Sequence, residues 1–435
     1  MSATPMLMFI MLFALFILGV PIAFALASVA LTFAYFLWGG GGMMTIVQAT
    51  WGTMNNFTLI AVPLFVFMAM MLEKSTLVED LYNAFYKWSG PVRGGLAMAS
   101  VIVGALIGAV SGVVAAGIIG MGLIALPQME KYGYDRNISL GSILAGGTLG
   151  QIIPPSLLMI VYGAVCSVSV GGMFAGGVSS GLLLVALYCI YIGIRCLFNK
   201  DLCPALPLEQ RATWGEKFRC LKSLILPGLL ILGCLGAILS GITTPTEGAA
   251  VGAGGAVLFN IICGRFNRKV FWDCAMGTLK LSAMVGWMVA CAGAFGAVFA
   301  GIGGNQLVME FAMMMPGGKW GALAASLAFI FFLGMFLETV GLIMLAAPIV
   351  TPIIVKFGFD PLWWGIVFVT MLQTAYISPP FGLSLFYLKG VAPANITLGA
   401  IYKSSVPFII LQLIGVALII TFPVFGLWLP WMLAS

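Results

Sequence analysis

Apolar positions run along this chain in long blocks interrupted by short polar or glycine-rich stretches, with no alternating pattern, so helices are predicted throughout. The blocks fall into two similar series. In the first, residues 6–73 read as scaffold helices, 94–128 as a helical hairpin, and 137–164 as a helix broken by Pro154 and Pro155. In the second, residues 223–304 read as scaffold helices, 319–353 as a hairpin, 361–388 as a helix broken by Pro379 and Pro380, and 404–430 as a last span. Each hairpin stretch is too long for one helix yet returns to the side it left. The turns are expected at Ser111 and Gly112, and near Leu337, Glu338 and Thr339. Repeat boundaries follow at 1–198 and 223–435, with a polar linker at 199–222.

The two series are in register. Lys-Tyr-Gly-Tyr-Asp at 131–135 and Lys-Phe-Gly-Phe-Asp at 356–360 lie 225 residues apart, and the same offset carries Pro91, Pro127, Pro154 and Pro155 onto Pro316, Pro352, Pro379 and Pro380. Proline is about one residue in twenty of ordinary chains, so this agreement marks an internal duplication.

Composition fixes the solvent. Hydrophobic residues make up 62% of the 435 and charged residues only 7%, more apolar surface than a soluble core can hide. At roughly 20 residues per span, the chain has room for about ten to twelve crossings or half-crossings of a bilayer. The expected fold is an all-α polytopic membrane protein.

Charge then sets topology. The polar segment from Arg195 to Lys222 carries Arg195, Lys200, Arg211, Lys217, Arg219 and Lys222 against Asp201, Glu209 and Glu216, so the positive-inside rule makes it cytoplasmic. Arg265, Arg268 and Lys269 return to that side, as do Lys74, Lys87, Arg93, Lys131 and Arg136. Stretches 39–53 and 165–175 carry no charge and are expected outside, with both termini. The two Lys-x-Gly-x-Asp segments then face opposite sides, which predicts inverted-topology repeats, a common architecture of secondary transporters.

Several function classes drop out. The net charge of +6 is spread between apolar segments with no basic face for nucleic acid. With no histidine, there is neither a Ser-His-Asp relay nor an HExxH zinc helix. The nine cysteines form no CxxC pair and read as small buried hydrophobes. No cleavable signal peptide is read before the first apolar block, since Met1 to Pro5 holds no basic residue.

Two helix breaks at bilayer depth, at equivalent positions, point to a site. Freed backbone groups are tolerated there only where they line a cavity or an ion. Unwound carbonyls suit Na⁺ and half-helix N-termini suit an anion. Intramembrane acids usually mark ion paths, so Glu338 is either an ion ligand or a cap on the amides of the hairpin turn. Asp135 and Asp360 read as N-caps, and Thr244-Pro245-Thr246-Glu247 as a helix start with Glu247 in a capping box. Trp363, Trp364, Trp428 and Trp431 read as an aromatic belt at the membrane surface.

The chain resembles the large membrane subunit of tripartite ATP-independent periplasmic (TRAP) transporters. The resemblance rests on Ile60-Ala61-Val62-Pro63-Leu64-Phe65, Ser111-Gly112, Gly133-Tyr134-Asp135, Gln151-Ile152-Ile153-Pro154-Pro155-Ser156, Thr244-Pro245-Thr246-Glu247-Gly248, Ser378-Pro379-Pro380-Phe381-Gly382 and Leu385-Phe386, over nearly the whole length. It implies an elevator-type importer of the bacterial inner membrane with no enzymatic activity. It also implies Na⁺ as coupling ion, a small membrane subunit (Q-type), a periplasmic substrate-binding protein (P-type), and a small carboxylate-bearing organic anion as substrate. Candidate Na⁺ ligands are Ser111, Gly112, Thr148, Gly150, Glu338, Thr339, Gln373, Thr374 and Ser378. Candidate substrate contacts are Pro154, Pro155, Ser156, Tyr376, Pro379 and Pro380. Many relatives carry a further Ser and an Asp after the first Ser-Gly, whereas this chain has Val113-Val114-Ala115-Ala116. Three other readings remain: a facilitative pore, a membrane enzyme, and a stand-alone Na⁺/dicarboxylate or citrate-type symporter without partner subunits.

Overall fold

The computed structural model describes residues 4–434 apart from 75–76, 113, 208 and 210. Its helices, in order, are α1 (Thr4–Ile17), α2 (Ile22–Trp38), α3 (Gly40–Met54), α4 (Ala61–Glu73), α5 (Leu77–Ser89), α6 (Gly95–Ser111), α7 (Val114–Lys131), α8 (Arg136–Thr148), α9 (Leu157–Cys166) and α10 (Val170–Phe198). The second half holds α11 (Trp214–Leu239), α12 (Pro245–Ile262), α13 (Arg268–Gly301), α14 (Gly304–Met313), α15 (Lys319–Gly334), α16 (Thr339–Lys356), α17 (Pro361–Tyr376), α18 (Leu383–Val391), α19 (Leu398–Thr421) and α20 (Val424–Ala434). Short 3-10 turns at Phe57–Ile60 and Leu149–Gln151 complete the described elements.

The duplication extends to secondary structure. Shifted by 225 residues, α7 falls on α16 end for end, and α5, α6, α8, α9 and α10 fall on α14, α15, α17, α18 and α19. Local chemistry explains the matched starts. Asp135 accepts from Ile138 N at 3.1 Å and Asp360 from Trp363 N at 2.7 Å, each filling an orphan amide of the first turn. Thr244 caps α12 in a capping box with Glu247, with Pro245 in the first turn. One element differs: α3 and α4 bend by 53° around the 3-10 turn, whereas their counterpart α13 is continuous. Asn56 caps that turn, its Oδ1 accepting from Thr58 N at 3.0 Å.

The halves pack by exchanging equivalent contacts. Helix α9 packs on α16 while α18 packs on α7; α8 packs on α19 while α17 packs on α10; α2 packs on α13 while α12 packs on α4. A contact of element i with j′ mirrored by i′ with j is what a two-fold relation produces.

Four described helices, α10, α13, α16 and α19, are long and apolar enough to cross a bilayer alone. Most others are shorter; the 17 residues of α6 reach about 25 Å, less than the hydrocarbon thickness of about 30 Å. The polar linker is not wholly a loop, since α11 begins inside it with Thr213 and Glu216 forming a capping box. Its first part folds back on the membrane domain. Asp135 N donates to Leu202 O at 2.7 Å, Gly94 N to Cys203 O at 3.1 Å and Leu206 N to Gly90 O at 2.9 Å.

Trp363 and Trp364 do not join an aromatic belt. Both are buried, because their indole N–H groups find partners inside: Ile419 O at 3.1 Å and Thr351 Oγ1 at 3.2 Å. Trp428 and Trp431 are exposed, as a belt requires. Five of the nine cysteines are buried and only Cys263 is exposed.

Candidate functional site

The candidate residues gather where each helical turn meets a broken helix. In the first half, α6 lies backbone-to-backbone on the end of α8. A Cβ added to Gly104 would sit 2.9 Å from Gly146 C, and one on Gly108 would sit 2.7 Å from Gly150 Cα, so only glycine fits this seam. The turn closes at Gly112, whose φ of +63° is a left-handed conformation glycine adopts without strain. Ser111 Oγ donates to Gly108 O at 3.3 Å, and Gly112 N donates to the same carbonyl at 2.8 Å. Val113, the residue in register with Glu338, lies outside the described residues.

At the first break, α8 ends at Thr148, the chain makes a 3-10 turn, and α9 restarts at Leu157. Ser156 caps the restart: its Oγ accepts from Met159 N at 3.4 Å and donates to Gln151 O. Pro154 and Pro155 are buried, and the bond between them is cis, as is that between Pro379 and Pro380.

The second half uses larger groups. Glu338 is the N-cap of α16: Oε2 accepts from Val340 N at 3.0 Å and Gly341 N at 3.1 Å, while Thr339 Oγ1 donates to Oε1 at 3.1 Å. Of the two readings of this acid, the cap is realised. Phe336 at the turn faces Phe381 after the break, ring centroids 5.3 Å apart. Phe381 is 51% exposed where Ser156 is fully buried, Pro379 is half-buried, and Pro380 is exposed. Tyr376 is buried just before the break, and Tyr402 Oη donates to Pro380 O at 2.7 Å.

The two halves meet at equivalent residues. Gln373 Nε2 donates to Thr148 Oγ1 at 3.4 Å, and the two positions are 225 apart. Both are fully buried. Thr148 Oγ1 lies 3.0 Å from Leu144 O and 3.1 Å from Ala145 O, Thr374 Oγ1 donates to Thr370 O, and Ser378 Oγ to Thr374 O. Each hydroxyl thus spends its proton on a helix carbonyl and keeps its oxygen as an acceptor, which at Thr148 already takes the Gln373 amide. Among the described residues the buried amide oxygens of Gln151 and Gln373 at the breaks, and of Gln412 on α19, accept no hydrogen bond. Unpartnered buried acceptors without a nearby donor suit a hard cation. Gln151 was not among the sequence candidates, although it lies inside the motif around Pro154, because nothing local marks its amide oxygen as unpartnered.

The aromatic residues near the breaks divide. Tyr162 is fully buried and packs, its hydroxyl 3.0 Å from Thr351 Oγ1. Three cavities, of about 370, 470 and 260 Å³, share Asn56 at the bend of α3 and α4; the first reaches both α13 and the end of α9, the second the end of α9, and the third α13. Asn56 Nδ2 crosses that seam to donate to Ala164 O at 3.2 Å.

Comparison with known proteins adds the lineage. Residues 9–425 match the family model for the tripartite ATP-independent periplasmic transporter, DctM component. The ectoine TRAP transporter large permease protein TeaC of Halomonas elongata is 29% identical over 95% of this chain and 96% of its own. The C4-dicarboxylate TRAP transporter large permease protein DctM of Vibrio cholerae is 30% identical over 98% and 97%. The fold is similar to that of the Alcanivorax borkumensis YdaH transporter, with a TM-score of 0.66 at 13% identity over 94% of this chain and 97% of that one. This multi-pass membrane protein belongs to the DctM family, the large permease component of tripartite ATP-independent periplasmic transporters.

Proposed function

We propose that this chain is the transport subunit of a Na⁺-driven importer that carries a small carboxylate-bearing organic acid across the inner membrane. A small membrane subunit and a periplasmic binding protein work with it. The carrying observation is the meeting of Thr148 with Gln373, whose own amide oxygen, like that of Gln151 in the broken helix that Thr148 ends, is buried without a hydrogen-bond donor. Na⁺ is cargo here. Gln151, Gln373, Thr148, Thr374 and Ser378 offer neutral oxygens of the kind such an ion takes, and Gly108, whose carbonyl Ser111 Oγ reaches, packs on Gly150. Glu338 holds the second turn in shape, with one carboxylate oxygen on backbone amides and the other on a hydroxyl.

The exchanged contacts between halves support inverted repeats related by an axis through Thr148 and Gln373. In an elevator cycle α6–α9 and α15–α18 move together against the remaining helices, and the bond from Asn56 to Ala164 is broken each time. The relatives named for C4-dicarboxylates support a carboxylate-bearing substrate. Each Na⁺ entering down the membrane potential contributes about 2.3 kcal/mol per 100 mV.

The test is uptake into proteoliposomes holding this chain and its small subunit, with a carboxylate-loaded binding protein outside. Uptake is expected only with Na⁺ outside and the binding protein present. Equal uptake with K⁺ replacing Na⁺ refutes the coupling; equal uptake from free substrate refutes the tripartite arrangement in favour of a stand-alone symporter.

A further inference from the structure

We propose that the corner where α5 meets α11 binds the headgroup of an anionic phospholipid whose acyl chain lies along α11. At its centre is Lys217, only 9% exposed yet without a carboxylate within ion-pair distance among the described residues, whose one ion pair is Arg265 with Asp80. Its ammonium sits 4.8 Å from the centroid of the Trp214 ring and 5.8 Å from that of Trp88. Trp88 is held in place by its own Nε1, which donates to Lys217 O at 3.1 Å. The neighbouring acid is already engaged: Glu216 Oε2 accepts from Thr213 N at 2.8 Å and Thr213 Oγ1 at 3.0 Å. Two further cations stand near. Lys87 Nζ lies 3.2 Å from Cys220 Sγ, and Arg211 Nε donates to Leu206 O at 3.0 Å. Among the described residues no carboxylate lies within ion-pair distance of Lys217, and Glu216, which Lys87 reaches electrostatically, spends one carboxylate oxygen on Thr213.

Its rim is apolar and open. Trp214 is 68% exposed and Phe218 60%, and Trp88 packs edge-on against both at 6.1 and 5.8 Å. The exposed face continues up α11 through Ile225, Leu229 and Leu232, one stripe at helical spacing. From Trp214 to Leu232 the stripe is about 27 Å long, more than the roughly 15 Å depth of one leaflet's hydrocarbon. A free phosphate would use the cations and leave the stripe idle; a phospholipid uses both. Aromatic residues with lysine and arginine at a helix entrance are the combination that anionic headgroups recognise.

The experiment is native mass spectrometry of the complex with its small subunit, purified in detergent and titrated with phosphatidylglycerol or phosphatidylcholine. Preference for phosphatidylglycerol is expected at about fivefold per engaged cation. Lys217→Gln should lower it by about that factor, and Trp214→Ala should shorten retention of both lipids, while Lys389→Gln, remote from the corner, should leave it unchanged. Variants are compared only where size-exclusion profile and melting temperature match the parent, and Lys87→Gln replaces Lys217→Gln should the latter fail to fold. Equal retention of the two lipids, undiminished preference after neutralising the lysine, or displacement by inorganic phosphate overturns the proposal.

Discussion

Replacing Gly108 with alanine tests whether the first half depends on backbone contact. The added Cβ would lie 2.7 Å from Gly150 Cα, 3.1 Å from Gly147 O and 3.1 Å from Gly150 N. All three are main-chain atoms, so no rotamer change relieves them. Ordinary carbon contacts begin near 3.5 Å, so α6 must lift from the end of α8 by about 0.8 Å. Overpacking of this kind costs about 1–3 kcal/mol. The movement also carries Gly108 O, which holds both Ser111 Oγ and Gly112 N, and so displaces the turn itself. The assay pairs melting temperature in detergent with Na⁺-dependent uptake in proteoliposomes. Gly108→Ala is expected to lower both, and Gly286→Ala, where nothing lies within 4 Å of the new methyl, to lower neither. A Gly108→Ala protein that melts and transports like the parent would refute the close-packed seam.

Three further outcomes are expected. Glu338→Ala should cost about 1 kcal/mol through loss of the cap on α16, while Glu338→Gln, which keeps an acceptor for Val340 N and Gly341 N, should cost less than half of that by chemical denaturation. If Gln returned all of the loss in stability yet abolished Na⁺ dependence, the acid would be an ion ligand as well as a cap. Thr148→Val keeps the shape, removes the hydroxyl that Gln373 reaches, and should raise the Na⁺ concentration for half-maximal uptake about tenfold, the effect of roughly 1.4 kcal/mol; an unchanged value would remove Thr148 from the ion path. Cysteines placed at Asn56 and Ala164 should cross-link and stop uptake reversibly, and cross-linking without inhibition would show that this seam does not open during transport.

What was legible in the sequence was local. Asp135, Asp360 and the Thr244–Glu247 box announced helix starts because a cap and its amides lie within three residues of one another. The 225-residue register aligned the helices themselves because proline and glycine punctuate both halves alike. Tertiary choices were not legible. The glycine seam of Gly104, Gly108, Gly146 and Gly150 has Phe329, Leu333, Met371 and Ala375 at equivalent positions, and nothing local says that the first set packs on backbone. Trp363 and Trp364 looked interfacial from their place after a polar turn, but their N–H groups answer to Ile419 and Thr351, far away or on another helix. The empty acceptor of Gln151 is likewise visible only once its neighbours are in place.

The contact between Thr148 and Gln373 also bears on how the protein is made. A ribosome adding about 5–20 residues per second needs roughly 11–45 s to supply the second partner after the first. Through that interval the broken helix between α8 and α9 stands in or beside the lipid with the exchanged contacts of α16 and α19 still missing. Biogenesis of this protein is therefore expected to depend on an insertion factor that shelters the first half until the second arrives, and ribosome stalling between the halves should yield a protease-sensitive product.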